Sequence, residues 1–357
     1  MAALPLQTRK LLYQAMIGTG GVGSGSFFAL EGDHTLGREE SRAGHFLNRQ
    51  DYCKLHIVSH YVRTLLGPDF VVIPASKVGA DAHGQRLLAE MEEAGLDLRF
   101  IGVDQGRSTL FSFCFSYPDG SGGNLTTSDA ATAAVGPDFI NTLDREFSRW
   151  PGQAMALAVP EVPLAARQRL LELGTAHRAF RVAGLTSAEA GSSQSEALLR
   201  NVDLLALNLD EAKALVARHA PQTECQPAEV LTRLVHKLQA VSPDIRISLT
   251  AGKDGSWCWD GAGITHTPAF LAEVVSTAGA GDAHLAGVIA GLAAGLSLGD
   301  AHQLAGLVAG LSVQSPHTIN KQIGRDTLNG FACRQTRELA TPVWELLGNK
   351  PVGSEVN

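Results

Sequence analysis

From Trp150 onward the chain alternates short apolar runs with helical stretches. Ala154 to Val159 precedes Leu164 to Gly174, and Ala179 to Ala183 precedes Ser193 to Arg200. Leu204 to Leu207 precedes Asp210 to Arg218, and the helix Pro227 to Ala240 leads to a strand from Ile245 to Thr250. Strands separated by helices are too far apart along the chain to be hairpin partners. They form a parallel sheet with helices on its faces, an α/β fold whose ligands gather beyond the strand carboxyl ends. Three features fall at such ends: Asn208–Leu209–Asp210–Glu211, Thr250–Ala251–Gly252–Lys253 and Ser276–Thr277–Ala278–Gly279–Ala280–Gly281–Asp282.

The last feature carries the most chemistry. The apolar run Leu271 to Val275 before it predicts a strand, and the small apolar residues from Ala283 to Gly295 predict a helix packed on a sheet. A glycine turn at a helix N-terminus leaves backbone N–H groups free, and the helix dipole favours an anion there. Asp282 would repel a phosphate unless it has a task, such as taking the proton of an attacking hydroxyl. The plainer alternative is a carboxylate that only caps the helix.

The N-terminal half reads differently. Ala15 to Gly25 is a short strand running into glycines, and Gly18, Gly20 and Gly23 fit the spacing G-x-G-x-x-G of dinucleotide-binding turns. That motif requires a helix immediately afterwards, whereas Ser24 to Leu30 reads as extended. A nicotinamide-dependent oxidoreductase is therefore only a remote alternative. Glu31 to Asn48 is polar and turn-rich, a surface loop or part of a lid. Asp51 to Leu66 has helical spacing, with His56 and His60 on one face. Without an acid between them, as in H-E-x-x-H, these histidines point to ordinary hydrogen-bonded side chains rather than a metal site. Phe70 to Ala75 is a buried strand, and the helix that follows it carries Leu87, Leu88 and Met91 as its stripe. Thr109 to Tyr117 and the turn Asp119 to Gly123 predict an antiparallel pair in a small separate sheet.

The chain of 357 residues is 45% hydrophobic and carries a net charge of −7, which gives a sizeable core and no basic surface for nucleic acid. The 5 cysteines are widely spaced and lack a CxxC pair, which suits a reducing cytoplasm better than a disulfide framework or a zinc knuckle. No uninterrupted apolar run reaches the ~20 residues of a membrane span.

Together these pieces resemble the ribokinase-like (PfkB) carbohydrate kinases. STAGAGD with its apolar helix is similar to that family's D-T-x-G-A-G-D, NLDE (Asn208 to Glu211) to N-x-x-E, and TAGKDG (Thr250 to Gly255) to T-x-G-x-x-G. VGADAHG (Val78 to Gly84) and AGLD (Ala94 to Asp97) fall in matching order, so the likeness runs from about Phe70 to Asn320. The resemblance implies a three-layer α/β/α domain over 1–320 with a small β-sheet lid from about 15–48 and 98–127, then a C-terminal helix and tail over 321–357. It implies ATP-dependent phosphorylation of a hydroxyl on a sugar-like small molecule. Asp282 would be the base, and the amides of Gly279, Ala280 and Gly281 the anion hole. Asn208 and Glu211 would organise Mg²⁺, Thr250 and Gly252 would meet the nucleotide phosphates or ribose, and His317 and Asn320 would form the adenine pocket. A homodimer through the lids is a further implication.

The departures are concentrated on the acceptor side. Ser276 stands where the family usually has the Asp of a monovalent-cation site, which leaves use of such a cation open. Asp51 to His60 lacks the family's G-G-x-x-x-N, and glycines and serines from Gly23 to Ser26 replace an acidic sugar-binding residue. An acceptor other than ribose or simple fructose is expected, for example an anion held by Lys54, Arg38 or Arg42. A non-catalytic descendant that binds nucleotide or a metabolite is the alternative to a kinase.

Overall fold

The strand Ala15–Thr19 (β1) is fully buried and lies inside the larger sheet, third from one edge. The structure, a computed structural model, describes residues 3–119, 121–190, 192–216 and 225–348. The larger sheet also contains Val71–Gly79 (β4), Ile101–Asp104 (β5), Ala154–Ala158 (β8), Phe180–Gly184 (β9), Leu204–Asn208 (β10) and Arg246–Thr250 (β11). Ser256–Trp259 (β12) and Ile264–Thr267 (β13) complete it, in the order β13-β12-β11-β10-β9-β8-β1-β4-β5. Pairing is parallel from β5 to β11, and β12 and β13 add an antiparallel edge. Successive strand residues serve opposite faces. Met16 and Leu204 enter one apolar core with helices Lys54–Leu66, Ala280–Ala293 and Leu298–Ser312. Ile17 and Leu205 enter a second core with helices Leu164–Ala176 and Pro227–Gln239. The result is helix, sheet, helix: the three layers implied by the alternation.

A second sheet of order β3-β2-β6-β7 is built from Gly23–Leu30 (β2), Gly44–Tyr52 (β3), Leu110–Ser116 (β6) and Gly122–Thr126 (β7). This corrects the start of both expected lid ranges, 15–48 and 98–127, because β1 and β5 hydrogen-bond into the large sheet. The turn between β6 and β7 includes Gly120, which lies outside the described residues. β3 takes over only residues 44–48 of the expected 31–48 loop and places Asp51 on a strand, so the first large helix begins only at Lys54. Its histidines are buried, with the His56 ring 4.7 Å from the Tyr52 ring. After the third glycine of Gly18, Gly20 and Gly23 the chain continues as β2, not as a helix, so the dinucleotide geometry is not formed.

Two further expectations change. Leu271 to Val275 is not a strand: Leu271, Val274 and Val275 are exposed, and Val275 N donates to Val313 O at 2.8 Å. The segment is tied instead to the residue that ends helix Leu298–Ser312, with Ser276 N also donating to Val313 O at 3.1 Å. The C-terminal helix expected within 321–357 is in fact two helices. Helices Arg325–Cys333 and Thr341–Leu346 bury Leu328, Phe331, Val343 and Leu346 in the first core. The final residues of the expected tail, 349–357, and the last two of the helix expected to end at Arg218 lie outside the described residues. Among the described residues, no helix is long and apolar enough to cross a membrane.

Helix Ala280–Ala293 reaches its neighbour through glycine. A Cβ on Gly287 would sit 2.5 Å from Ala305 Cα, and one on Gly291 would sit 2.8 Å from Ala301 Cβ. Gly287→Val therefore forces the two helices apart. A loss of roughly 2–4 kcal/mol is expected in urea unfolding, whereas Gly263→Ala, which meets no atom within 4 Å, should change little.

Candidate active site

The carboxyl ends of β8, β9, β10 and β11 meet the N-terminus of helix Ala280–Ala293 around a cavity of about 60 Å³. Lys54, Asn208, Glu211, Thr250, Gly281 and Asp282 line it. Gly279 caps the helix at φ +77°, a left-handed conformation, and a Cβ there would lie 2.8 Å from Thr318 O. Only glycine satisfies both conditions. The first α-type bond of the helix runs from Ala283 N to Gly279 O, so the Gly281 and Asp282 amides precede the ladder. The Ala280 amide instead closes a turn onto Thr277 O at 3.2 Å. A Cβ on Gly281 would meet no atom within 4 Å, so this side of the turn is open to an incoming group.

Asp282 stands in the first turn with Lys54 Nζ 3.2 Å from its Oδ1. Lys54 is the first residue of helix Lys54–Leu66, which packs beside the Asp282 helix. The Asp282 charge, followed by those of Glu211 and Glu161, pushes the Lys54 pKa up in spite of burial. Asn208 and Glu211 exchange hydrogen bonds: Asn208 N donates to Glu211 Oε2 at 2.8 Å, and Glu211 N to Asn208 Oδ1 at 2.9 Å. This pair is a capping box for helix Leu209–Val216 and also a wall of the cavity. Burial raises the Glu211 pKa, its bond from Asn208 and the charge of Lys54 oppose that rise, and the charge of Asp282 adds to it.

The other residues singled out in the sequence are distributed more widely. Gly252 is exposed just beyond β11 at φ +56°. His317 and Asn320 line a second groove of about 750 Å³ together with Gln50, Gln314, Lys321 and Arg334. His317 Nδ1 accepts the Gln50 N–H at 3.0 Å. The Asn320 side chain ties its loop to helix Leu298–Ser312, donating to Leu311 O at 2.9 Å, and accepts from Gln322 N at 3.1 Å. Ser276 Oγ accepts the Ala278 N–H at 3.4 Å. Arg38 is exposed, and Arg42 is held by Glu40 at 2.6 Å with its guanidinium 5.9 Å from the Tyr117 ring centre. Of the three suggested acceptor cations, only Lys54 lines the cavity.

Residues 70–323 match the pfkB family carbohydrate kinase profile. The chain belongs to this family. Over 98 residues it is 37% identical to an uncharacterized sugar kinase, YegV, of Escherichia coli K12, a stretch that spans 28% of either protein. Ribokinase from Giardia lamblia superposes with a TM-score of 0.75 at 16% identity, over 89% of this chain and 99% of that one. Arabidopsis thaliana ribokinase, solved with ribose and ATP, gives 0.71 at 16% identity over 89% and 98%. A Burkholderia thailandensis nucleoside kinase in complex with inosine gives 0.67 at 16% identity over 88% and 96%. At these identities the likeness is one of fold.

This pfkB kinase holds two further acids near Asp282 that the sequence reading did not single out. Glu161 follows β8 with φ +77°, unusual for a side chain larger than glycine. Its Oε2 accepts the Lys54 N–H at 3.2 Å, and burial, opposed by Lys54 and reinforced by Asp282, lifts its pKa to about 7. Its place just beyond a parallel strand was the available signal. Asp51 is the other, and its signal was lost when residue 51 was assigned to a helix.

Glu161 also sets a pH dependence. A carboxyl whose folded pKa is raised is penalised when ionised, so its cost to stability is absent below 4.5 and complete above about 7. Glu161→Gln should therefore stabilise the chain at pH 8, on the order of 1–3 kcal/mol. The gain should vanish near pH 4, as read by thermal unfolding across that range.

Proposed function

We propose that this chain is an ATP-dependent kinase that phosphorylates a hydroxyl of a sugar-like small molecule. The observation that carries the reading is the juxtaposition at one helix N-terminus of open amides, the Asp282 carboxylate and the Lys54 ammonium. Phosphoryl transfer needs positioning and charge stabilisation more than covalent help. In this reading the acceptor oxygen forms a bond to the γ-phosphorus, the bond from phosphorus to the bridging oxygen breaks, and ADP leaves. Asp282 takes the acceptor proton. The Gly281 amide and its neighbours face the transferring group, and Lys54 holds Asp282 in place while placing positive charge beside it.

The nucleotide would run from the cavity past Thr250 and Gly252 to the groove of His317 and Asn320. The donor set fits Mg²⁺, a hard ion that keeps several waters and takes few protein ligands. Glu211 would hold it through the oxygen not bonded to Asn208, and Asn208 through water. When bound, the ion would neutralise charge on the nucleotide phosphates. The small sheet would serve as a lid that excludes water from the transfer. Its outer aromatic cluster, in which Phe46 is 66% exposed 5.1 Å from Phe28 and 6.2 Å from Phe113, supports pairing of lids in a homodimer.

Asp282→Asn should lower kcat by roughly 10²–10⁴-fold with little change in nucleotide affinity. Product analysis and nucleotide titration would separate the two effects. Wild-type protein that binds nucleotide yet phosphorylates no acceptor over a broad panel would instead favour a binding protein. For the oligomer, light scattering should report a dimer for the wild type and a monomer for Phe46→Asp.

A further inference from the structure

The strands whose carboxyl ends surround the catalytic cavity leave a second opening at their amino ends. A groove of about 440 Å³ lies there, far larger than the cavity itself. Tyr13 precedes β1, Phe180 begins β9, Asp203 precedes β10 and Arg246 begins β11. The full length of β10 and β11 separates this groove from Asn208 and Thr250, so it is no part of the site described above. It concentrates positive charge on a chain of net charge −7. Arg181 and Asp203 neutralise each other: Arg181 donates to Asp203 Oδ2 at 2.8 Å and to Oδ1 at 2.6 Å, and to Thr175 Oγ1 at 2.7 Å. Arg178 and Arg246 remain, against the single carboxylate of Asp244.

Among the described residues neither of these two arginines has an ion-pair partner. The Arg246 guanidinium lies 5.7 Å from the centre of the Phe180 ring, and the Tyr13 ring lies 5.8 Å from the same ring. Burial raises the pKa of the Tyr13 phenol, opposed by the charge of Arg246 and aided by that of Asp203, so its hydroxyl is a further donor. Arg178 is the second residue after helix Leu164–Ala176 and has φ +57°. That place and conformation ordinarily belong to glycine, and a larger residue there is strained. The chain carries this strain at a position whose side chain lines the groove and makes no hydrogen bond within the described residues.

We propose that this groove is a second ligand site, which takes the phosphate group of a small phosphate monoester between Arg178 and Arg246. Such a group carries a charge of about −1.5 to −2 near pH 7, which matches two guanidinium groups. Arginine forks bond phosphate oxygens in pairs, and the Tyr13 hydroxyl adds a donor. The carboxylate of Asp244 opposes the anion, and Arg178 and Arg246 outnumber it. The remainder of the ligand lies against the Tyr13 and Phe180 rings, and 440 Å³ is within the range of small-molecule sites. The site stands apart from the kinase reading and does not rest on it.

The test is calorimetric titration of the full chain with phenyl phosphate and with glycerol 3-phosphate, each beside its parent alcohol, phenol or glycerol. The wild type should bind the esters and neither alcohol. Arg246→Ala and Arg178→Gly should each weaken ester binding at least ~10-fold. Glycine suits the backbone at 178 better than arginine does, so Arg178→Gly should show no loss of stability in urea. Its loss of binding then reports the side chain and not the fold. Arg233→Ala removes an exposed cation paired with Glu229 on helix Pro227–Gln239 and should leave binding unchanged. Absence of ester binding overturns the proposal. So does ester binding that Arg178→Gly and Arg246→Ala leave intact, which would place the phosphate elsewhere, for instance at the helix N-terminus of Asp282. Equal weakening in Arg233→Ala would reduce the effect to general attraction by surface charge and would overturn it as well.

Discussion

Gly279 and Thr318 meet at a contact on which the rest of the site depends. The glycine has a positive φ, and the Thr318 carbonyl occupies the space a side chain would need. Thr318 in turn donates its N–H to Gln50 O at 3.1 Å and accepts the Tyr52 N–H on its hydroxyl at 3.0 Å. One close approach therefore joins the glycine turn before helix Ala280–Ala293, the loop of His317 and Asn320, and strand β3. Any residue larger than glycine at 279 would strain the backbone and push these three elements apart together.

Around that junction the electrostatics are uneven. Asp51, Glu161, Glu211 and Asp282 are gathered with Lys54 near one helix N-terminus. Burial lifts the first three above ordinary carboxyl values, and the charge of Asp282 adds to each. Like charges brought together in this way cost stability in the free protein, which is the common relation between a reactive site and the scaffold that holds it. Of these acids, Glu211 and Asp282 line the cavity itself. Stability and function are thus linked through the same few carboxylates.

The buried histidines show how little residue type says without its surroundings. His284 lines the cavity two residues after Asp282, and its ring is 4.9 Å from that of His302. Burial lowers the His284 pKa to about 4. His56 is buried beside the Tyr52 ring and is lowered to about 3, first by burial and then by His60 and neighbouring cations. These are neutral core residues at physiological pH. The i, i+4 pairing of His56 and His60 on a helix is real, yet the helix turns them into the packed interior.

Local sequence fixes what depends on neighbours along the chain. The strand–helix alternation after Trp150 determined the parallel sheet. The glycine turn before a small-residue helix determined the helix N-terminus with its free first-turn amides, and the NLDE spacing determined the reciprocal cap of Asn208 and Glu211. Hydrogen-bond partners distant in the chain were decided only by the tertiary structure. Leu271 to Val275 has the composition of a strand, but its amides are taken by Val313 and Gln335. β1 and β5 looked like lid strands until β4 paired with both. Asp51 came to lie opposite Gly25 only because β3 pairs with β2 there, a register that no spacing within either strand encodes. Side-chain periodicity is a short-range property, whereas strand pairing and the close approach of backbones depend on the whole packed chain.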